Sequence, residues 1–223
     1  MAEARDERAS LAPWFVLNGP SGEARYDCRP ENSLLAIAGQ RGVLPVEAFI
    51  QLALETEGRL LLCLPFLNQA DAAVGEMMRD PLVLMGLADA GAHVGLTMDA
   101  SAPTYLLSYW VRERGALTPE EAIRRIALDT AQSFGIRERG ALREGYFADV
   151  NVIDAARLAL PVPEYLHDFP HGAGRFAQRA SGYDATFVNG ALFMCGGEHT
   201  GALTGRVLRG SVEAQQRDRA VKR

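Results

Sequence analysis

The stretch Leu82-Val83-Leu84-Met85-Gly86-Leu87-Ala88-Asp89-Ala90-Gly91-Ala92-His93 sets a short apolar run directly before an acidic residue surrounded by small ones. A run of this length between turn signals reads as a strand. Working upstream, residues 59–65 contain Leu60-Leu61-Leu62-Cys63-Leu64, a continuous apolar run typical of a strand buried on both faces. Periodicity alone does not separate such a run from a buried helix, but its length favours a strand. Between the two runs, residues 70–79 read as a helix that Asp80-Pro81 stops. The order is strand, helix, strand, as in an α/β layer with helices packed over a parallel sheet.

Further upstream, the apolar run at residues 14–17 reads as a strand or arm, closed by the turn cluster Asn18-Gly19-Pro20-Ser21-Gly22. A short helix is expected over residues 33–40, ending at Gly42. A second runs from Pro45 to about Thr56, where Val46, Phe49, Ile50, Leu52 and Ala53 repeat at helical spacing. Downstream, residues 104–114 are helical in pattern. The clearest helix starts at Thr118-Pro119-Glu120-Glu121, with Thr as N-cap, Pro at the first position and Glu121 completing a capping box. The texture then changes. Residues 147–153 alternate toward a strand, residues 185–194 read as a hairpin around Asn189-Gly190, and residues 205–210 are a further strand candidate. Residues 1–139 therefore read as one βα-alternating region and residues 140–212 as a small β unit with an irregular insertion at about 155–182. Residues 213–223 read as a charged tail.

Composition bounds the function. About half of the 223 residues are apolar, and the net charge of -5 is spread without a basic stripe, which argues against nucleic-acid binding. No run approaches the roughly 18 apolar residues of a membrane span, and the charged N-terminus lacks the apolar stretch of a signal peptide. Cys28, Cys63 and Cys195 are widely spaced and odd in number, which fits a reducing compartment and the role of small buried hydrophobes. The expected location is the cytoplasm.

Asp89 stands where a barrel strand would present a catalytic group, at the strand's C-terminal end. A carboxylate there can take a proton from an attacking water and return it to a leaving nitrogen. The same residue type before Ala-Gly would also serve as the cap of a following turn. His93 could contact substrate or a second metal, or be a hydrogen-bonded loop residue; Asp99 shares its loop. The second cluster is Leu166-His167-Asp168-Phe169-Pro170-His171-Gly172, in which Pro170 prevents one helix from holding both histidines on one face, so it reads as a structural loop. Four histidines, none in an HxH pair, are a poor donor set for a hydrolytic metal centre. Signatures of a nucleophile elbow, a phosphate loop and a dinucleotide fingerprint are absent.

The blocks Leu87-Ala88-Asp89-Ala90-Gly91-Ala92-His93-Val94, Pro103-Thr104-Tyr105-Leu106-Leu107 and Trp110-Val111-Arg112-Glu113-Arg114-Gly115 are joined by others in order. These are Leu117-Thr118-Pro119-Glu120-Glu121-Ala122, Arg139-Gly140, Glu144-Gly145-Tyr146-Phe147-Ala148-Asp149, His167-Asp168-Phe169-Pro170, Val188-Asn189-Gly190 and Gly201-Ala202-Leu203-Thr204-Gly205-Arg206. Together they resemble the N-acyl-D-amino-acid deacylase (D-aminoacylase) branch of the amidohydrolase superfamily, in its C-terminal portion. The resemblance implies an α/β fold: C-terminal βα units of a metal-dependent (β/α)8 hydrolase barrel, which typically needs about 250 residues, plus the C-terminal part of a small β-sandwich domain. It implies hydrolysis of N-acyl-D-amino acids or related linear amides, with Asp89 as general acid/base and His93 as a substrate contact. Zinc is implied for the full-length parent, with ligands on earlier strands and none from this chain. Ala88 stands where many relatives carry Ser, which alters a hydrogen bond near the carboxylate without removing the acid. The chain is thus expected to be a fragment, inactive alone. The alternatives are a split-enzyme or non-catalytic half that pairs with a complementary chain, and a relative acting on cyclic amides. The Asp-Ala-Gly-Ala-His and His-Asp-Phe-Pro blocks speak against the last.

Overall fold

The computed structural model describes residues 14–65, 67–86, 90–92, 94–95 and 100–208. The chain divides into two compact units, Met1–Val74 and Gly75–Arg223.

In the first unit, Ser33 caps α1 (Leu34–Arg41), its Oγ accepting the Ala36 N–H at 3.1 Å, and Gly42 ends the helix at φ 68°. Pro45 opens α2 (Pro45–Glu55), where the Glu47 carboxylate accepts the Leu44 N–H at 2.8 Å. Both helices form where the capping residues place them. They bury Leu34, Ala38, Ala48 and Leu52 with Val16, and Trp14, Ile37, Val43, Leu60 and Leu62 pack around this core. Alanines at the contact let the two helices approach closely.

The apolar run at 59–65 yields only a two-residue strand, β2 (Leu62–Cys63), paired antiparallel with β1 (Phe15–Val16) and half-buried. The expected strand buried on both faces is therefore not formed. One reason is that its ladder is continued by a side chain. Asn18, 7% exposed, accepts the Leu61 N–H at 2.6 Å and donates to the Arg59 carbonyl at 2.9 Å. Helix α3 spans Asp71–Arg79.

In the second unit, residues 82–86 hold no strand, contrary to expectation, and Leu82 is 92% exposed. The backbone groups that a neighbouring strand would take are engaged locally. Asp80 Oδ1 accepts the Leu82 N–H, and the Arg125 guanidinium donates to the Asp80 and Val83 carbonyls at 2.8 and 3.0 Å. Helix α4 (Ala102–Tyr105) runs into a π-helical stretch, Leu106–Glu113, that buries Leu106, Tyr109 and Trp110. Helix α5 (Pro119–Arg124) starts with the expected capping box, Glu121 N–H to Thr118 Oγ1 and Thr118 N–H to the Glu121 carboxylate. It continues through a π-helical turn, Arg125–Asp129, into α6 (Thr130–Ser133).

Helices then give way to strands. β3 (Val150–Ile153), β6 (Tyr183–Val188), β7 (Ala191–Cys195) and β8 (Glu198–His199) form an antiparallel sheet in the order β3-β6-β7-β8. Asn189 and Gly190, at φ 51° and 83°, make the tight turn of the expected hairpin. The insertion expected to be irregular instead contains a second hairpin, β4 (Glu164–Leu166) against β5 (Arg175–Ala177). Of the strand expected over 205–210, the described residues 205–208 form none, and just before them Asn189 Nδ2 donates to the Thr204 carbonyl at 2.5 Å. Every strand pairing among the described residues is antiparallel, so the expected parallel sheet is not seen there. A parallel pair requires a long crossover between its strands, and β2 meets β1 instead. Among the described residues no helix is long and apolar enough to cross a membrane.

Candidate functional site

Asp89, His93 and Asp99 lie outside the described residues. Of the same stretch of sequence, residues 90–92 and 94–95 are described. Gly91 adopts φ 92°, a left-handed conformation that glycine alone takes freely, in the turn that follows Asp89. The Val94 carbonyl accepts the Phe176 N–H at 2.8 Å, and the Tyr165 hydroxyl lies 3.9 Å from where a Cβ on Gly95 would stand. Strands β4 and β5 thus meet the chain at Val94 and Gly95. The spacing in the sequence gives no sign of this contact, because the two segments are about eighty residues apart.

The second histidine cluster forms the tip of the same hairpin. His167 stacks edge-on against Tyr165 at 5.3 Å, and its Nδ1 hydrogen-bonds with the Gly172 carbonyl at 3.0 Å. His171 adopts φ 59° within a 3-10 turn, Pro170–Gly172. Asp168 pairs in bidentate fashion with Arg175, at 2.8 and 2.6 Å, and this guanidinium holds the Asp168 carboxyl below the usual carboxylate range. Arg175 also lies over the Phe169 ring. These bonds shape the loop tip. Among the described residues no three His, Cys, Asp or Glu side chains converge to hold a metal ion.

Three sequence blocks meet at Arg139. Its guanidinium is ion-paired with Asp149, donates to Asn189 Oδ1 at 2.6 Å and lies 4.3 Å above the Phe147 ring. The Asn189 N–H in turn donates to Asp149 Oδ1 at 2.8 Å. Next to it, Gly140 sits so close to the Ala127 carbonyl that a Cβ would approach to 2.8 Å. This network joins the last helices to the sheet. It is structural, although its residues belong to the blocks that carry the resemblance.

One pairing escaped the reading of spacing entirely. The Cys28 and Cys63 Sγ atoms are 3.4 Å apart, whereas the sequence presented them as unrelated small hydrophobes.

The chain belongs to the Amidohydrolase family, whose model matches residues 32–192. It is 35% identical over 103 residues to the D-aminoacylase of Alcaligenes xylosoxydans xylosoxydans, covering 46% of this chain and 19% of that enzyme. An uncharacterised protein of Mycobacterium tuberculosis is 29% identical over 189 residues, 77% of this chain and 30% of that protein. A crystal structure of a D-aminoacylase superposes with a TM-score of 0.50 at 24% identity, covering 92% of this chain and 40% of that one. The chain spans well under half the length of each of these. Its fold is of the α/β class, with C-terminal units of an amidohydrolase barrel followed by a small β-sheet domain.

Proposed function

We propose that this chain is the C-terminal portion of an amidohydrolase that cleaves the amide bond of N-acyl-D-amino acids or related linear amides. Residues 1–139 serve as the last part of the barrel and residues 140–212 as part of the sandwich domain. Asp89 is the proton carrier: its carboxylate takes a proton from the water that attacks the amide carbonyl and delivers it to the departing nitrogen, giving a carboxylic acid and an amine. His93 contacts the substrate. Zinc belongs to this reading through the resemblance alone, with ligands expected on preceding barrel strands. The observation that carries the reading is the position of Leu87-Ala88-Asp89-Ala90-Gly91-Ala92-His93 inside the matched family region. The likeness to a D-aminoacylase supports the substrate class.

The test is hydrolysis of N-acetyl-D- and N-acetyl-L-amino acids by the longest reading frame containing this sequence and by the chain alone, with bound zinc measured by elemental analysis. Asp89→Asn is expected to lower turnover by about 100-fold or more while leaving the zinc content unchanged. Unaltered turnover in that variant removes Asp89 from the mechanism, and failure to hydrolyse either enantiomer overturns the deacylase reading. The chain alone is expected to bind no zinc and to be inactive; stoichiometric zinc with activity overturns its incompleteness.

A second reading, a half that pairs with a complementary chain, is supported by the apolar face of α2, where Phe49, Ile50 and Leu54 are exposed. It predicts that a separately produced chain carrying the earlier barrel strands co-elutes with this one in gel filtration.

A further inference from the structure

Cys63 is held on β2 by its pairing with Phe15, while Cys28 lies at φ 44° on the segment leading into a 3-10 turn, Pro30–Asn32. The Cys28 thiol donates to Cys63 Sγ across 3.4 Å, which leaves about 1.4 Å to close to S–S bonding distance. Both residues are half-buried, which leaves them within reach of a small oxidant. We propose that Cys28 and Cys63 form a dithiol site that closes into an intramolecular disulfide by exchange with a low-molecular-weight disulfide such as oxidised glutathione, and reopens with a dithiol reductant.

The exchange runs in two displacements. The Cys63 thiolate attacks one sulfur of the oxidant, whose S–S bond breaks and releases one thiol. The Cys28 sulfur, giving its proton to solvent, then attacks Cys63 Sγ and displaces the second small thiol. Two protein thiols are oxidised, and one small disulfide is reduced to two thiols. The order follows from the local chemistry. The hydrogen bond to Cys63 and burial push the Cys28 thiol up, with the charges of Cys63, Asp27 and Asp71 adding to the effect, so Cys28 is assigned the second displacement rather than the first. The site is independent of the proposed hydrolase activity and is tested without it.

The experiment treats the folded full chain with oxidised glutathione, alkylates remaining thiols with N-ethylmaleimide and maps the digest by mass spectrometry. The expected result is a Cys28-to-Cys63 linked peptide, with reactive thiols falling from three to one and returning on addition of dithiothreitol. Cys195→Ser is expected to leave the link intact, and Cys63→Ser to abolish it. Because the link is read in the unsubstituted chain, a variant that fails to fold does not remove the test. Alkylation of both Cys28 and Cys63 after oxidation of the folded chain, or linkage only through Cys195, overturns the proposal.

Discussion

Arg139 depends on its planar fork: one guanidinium serves Asp149, Asn189 and the Phe147 ring, with only 11% of its side chain exposed. Arg139→Ala is expected to cost about 2–4 kcal/mol, because Asp149 then loses its counter-charge. Arg139→Lys should recover little of it, since an ammonium cannot serve both oxygens and stack. Urea midpoints of the two variants check this, and near-identity of Lys with the parent would show that charge alone suffices. Gly182 is a second such residue. It sits at φ 89°, with a hypothetical Cβ 2.6 Å from Leu158 Cα, and Leu158 is 3% exposed. Gly182→Ala should lower stability by about 2 kcal/mol or more, read in the same titration. At this scale the sequence discloses identity but not company. Arg139-Gly140 and Asn189-Gly190 stood out as separate blocks, and Cys28 and Cys63 did not stand out at all. Convergence across 50 and 35 positions leaves no periodic trace.

Elements whose boundaries depend on local capping were legible. Ser33 and the Thr118–Glu121 box fix helix starts through side-chain bonds within three residues, Gly42 ends a helix by its left-handed backbone and Pro45 opens one by its preset φ, and the structure keeps each of them. Thr118→Ala should therefore cost about 1 kcal/mol in urea titration. The strands expected over 82–87 and 205–210 are absent from their described parts, 82–86 and 205–208, for the opposite reason: a strand needs a neighbour, and at Val83 the Arg125 side chain took the carbonyl instead. The β4–β5 hairpin was hidden because Pro170 and the glycines at its tip disguise two three-residue strands. Its value lies in the hydrogen bond from Phe176 N–H to the Val94 carbonyl. A Cβ on Gly174 would fall 2.4 Å from the Tyr165 ring, so Gly174→Ala must move that ring. Faster amide hydrogen exchange at Phe176 is the expected outcome; unchanged protection would show that this hydrogen bond does not depend on Tyr165.

For the whole molecule, ionisation sets the acid limit. Arg175 lowers the Asp168 carboxyl, Arg157 that of Asp154 and Arg41 that of Glu55, while Glu121 is lowered by the backbone N–H of Thr118. A folded value below the unfolded one means that each contribution is present above the unfolded carboxylate range near about 4, and is lost as pH falls through the depressed value. All four groups are exposed, so the effect should shrink in about 1 M salt. Melting temperature is expected to hold from neutrality to about pH 4 and then fall, less steeply at high salt. A melting temperature that stays level to pH 3 would deny these pairs any share in stability. The change from helices to strands was readable from the β texture after residue 140, where the strands from Val150 onward follow the last helix, Thr130–Ser133. The parallel sheet read from the alternation before residue 139 is not formed among the described residues, whose strands all pair antiparallel.

Arg112 joins the two textures. From the π-helical stretch it donates to the Ala155 and Leu158 carbonyls at 3.1 and 2.6 Å, and nearby Thr104 and Tyr183 share a hydrogen bond between their hydroxyls. For protein engineering this makes the β segment a poor transplant: grafted onto a foreign scaffold without the helix that bears Arg112, it would carry two orphaned carbonyls and a loosened loop at its seam. A portable cassette has to begin at residue 102, not at 140.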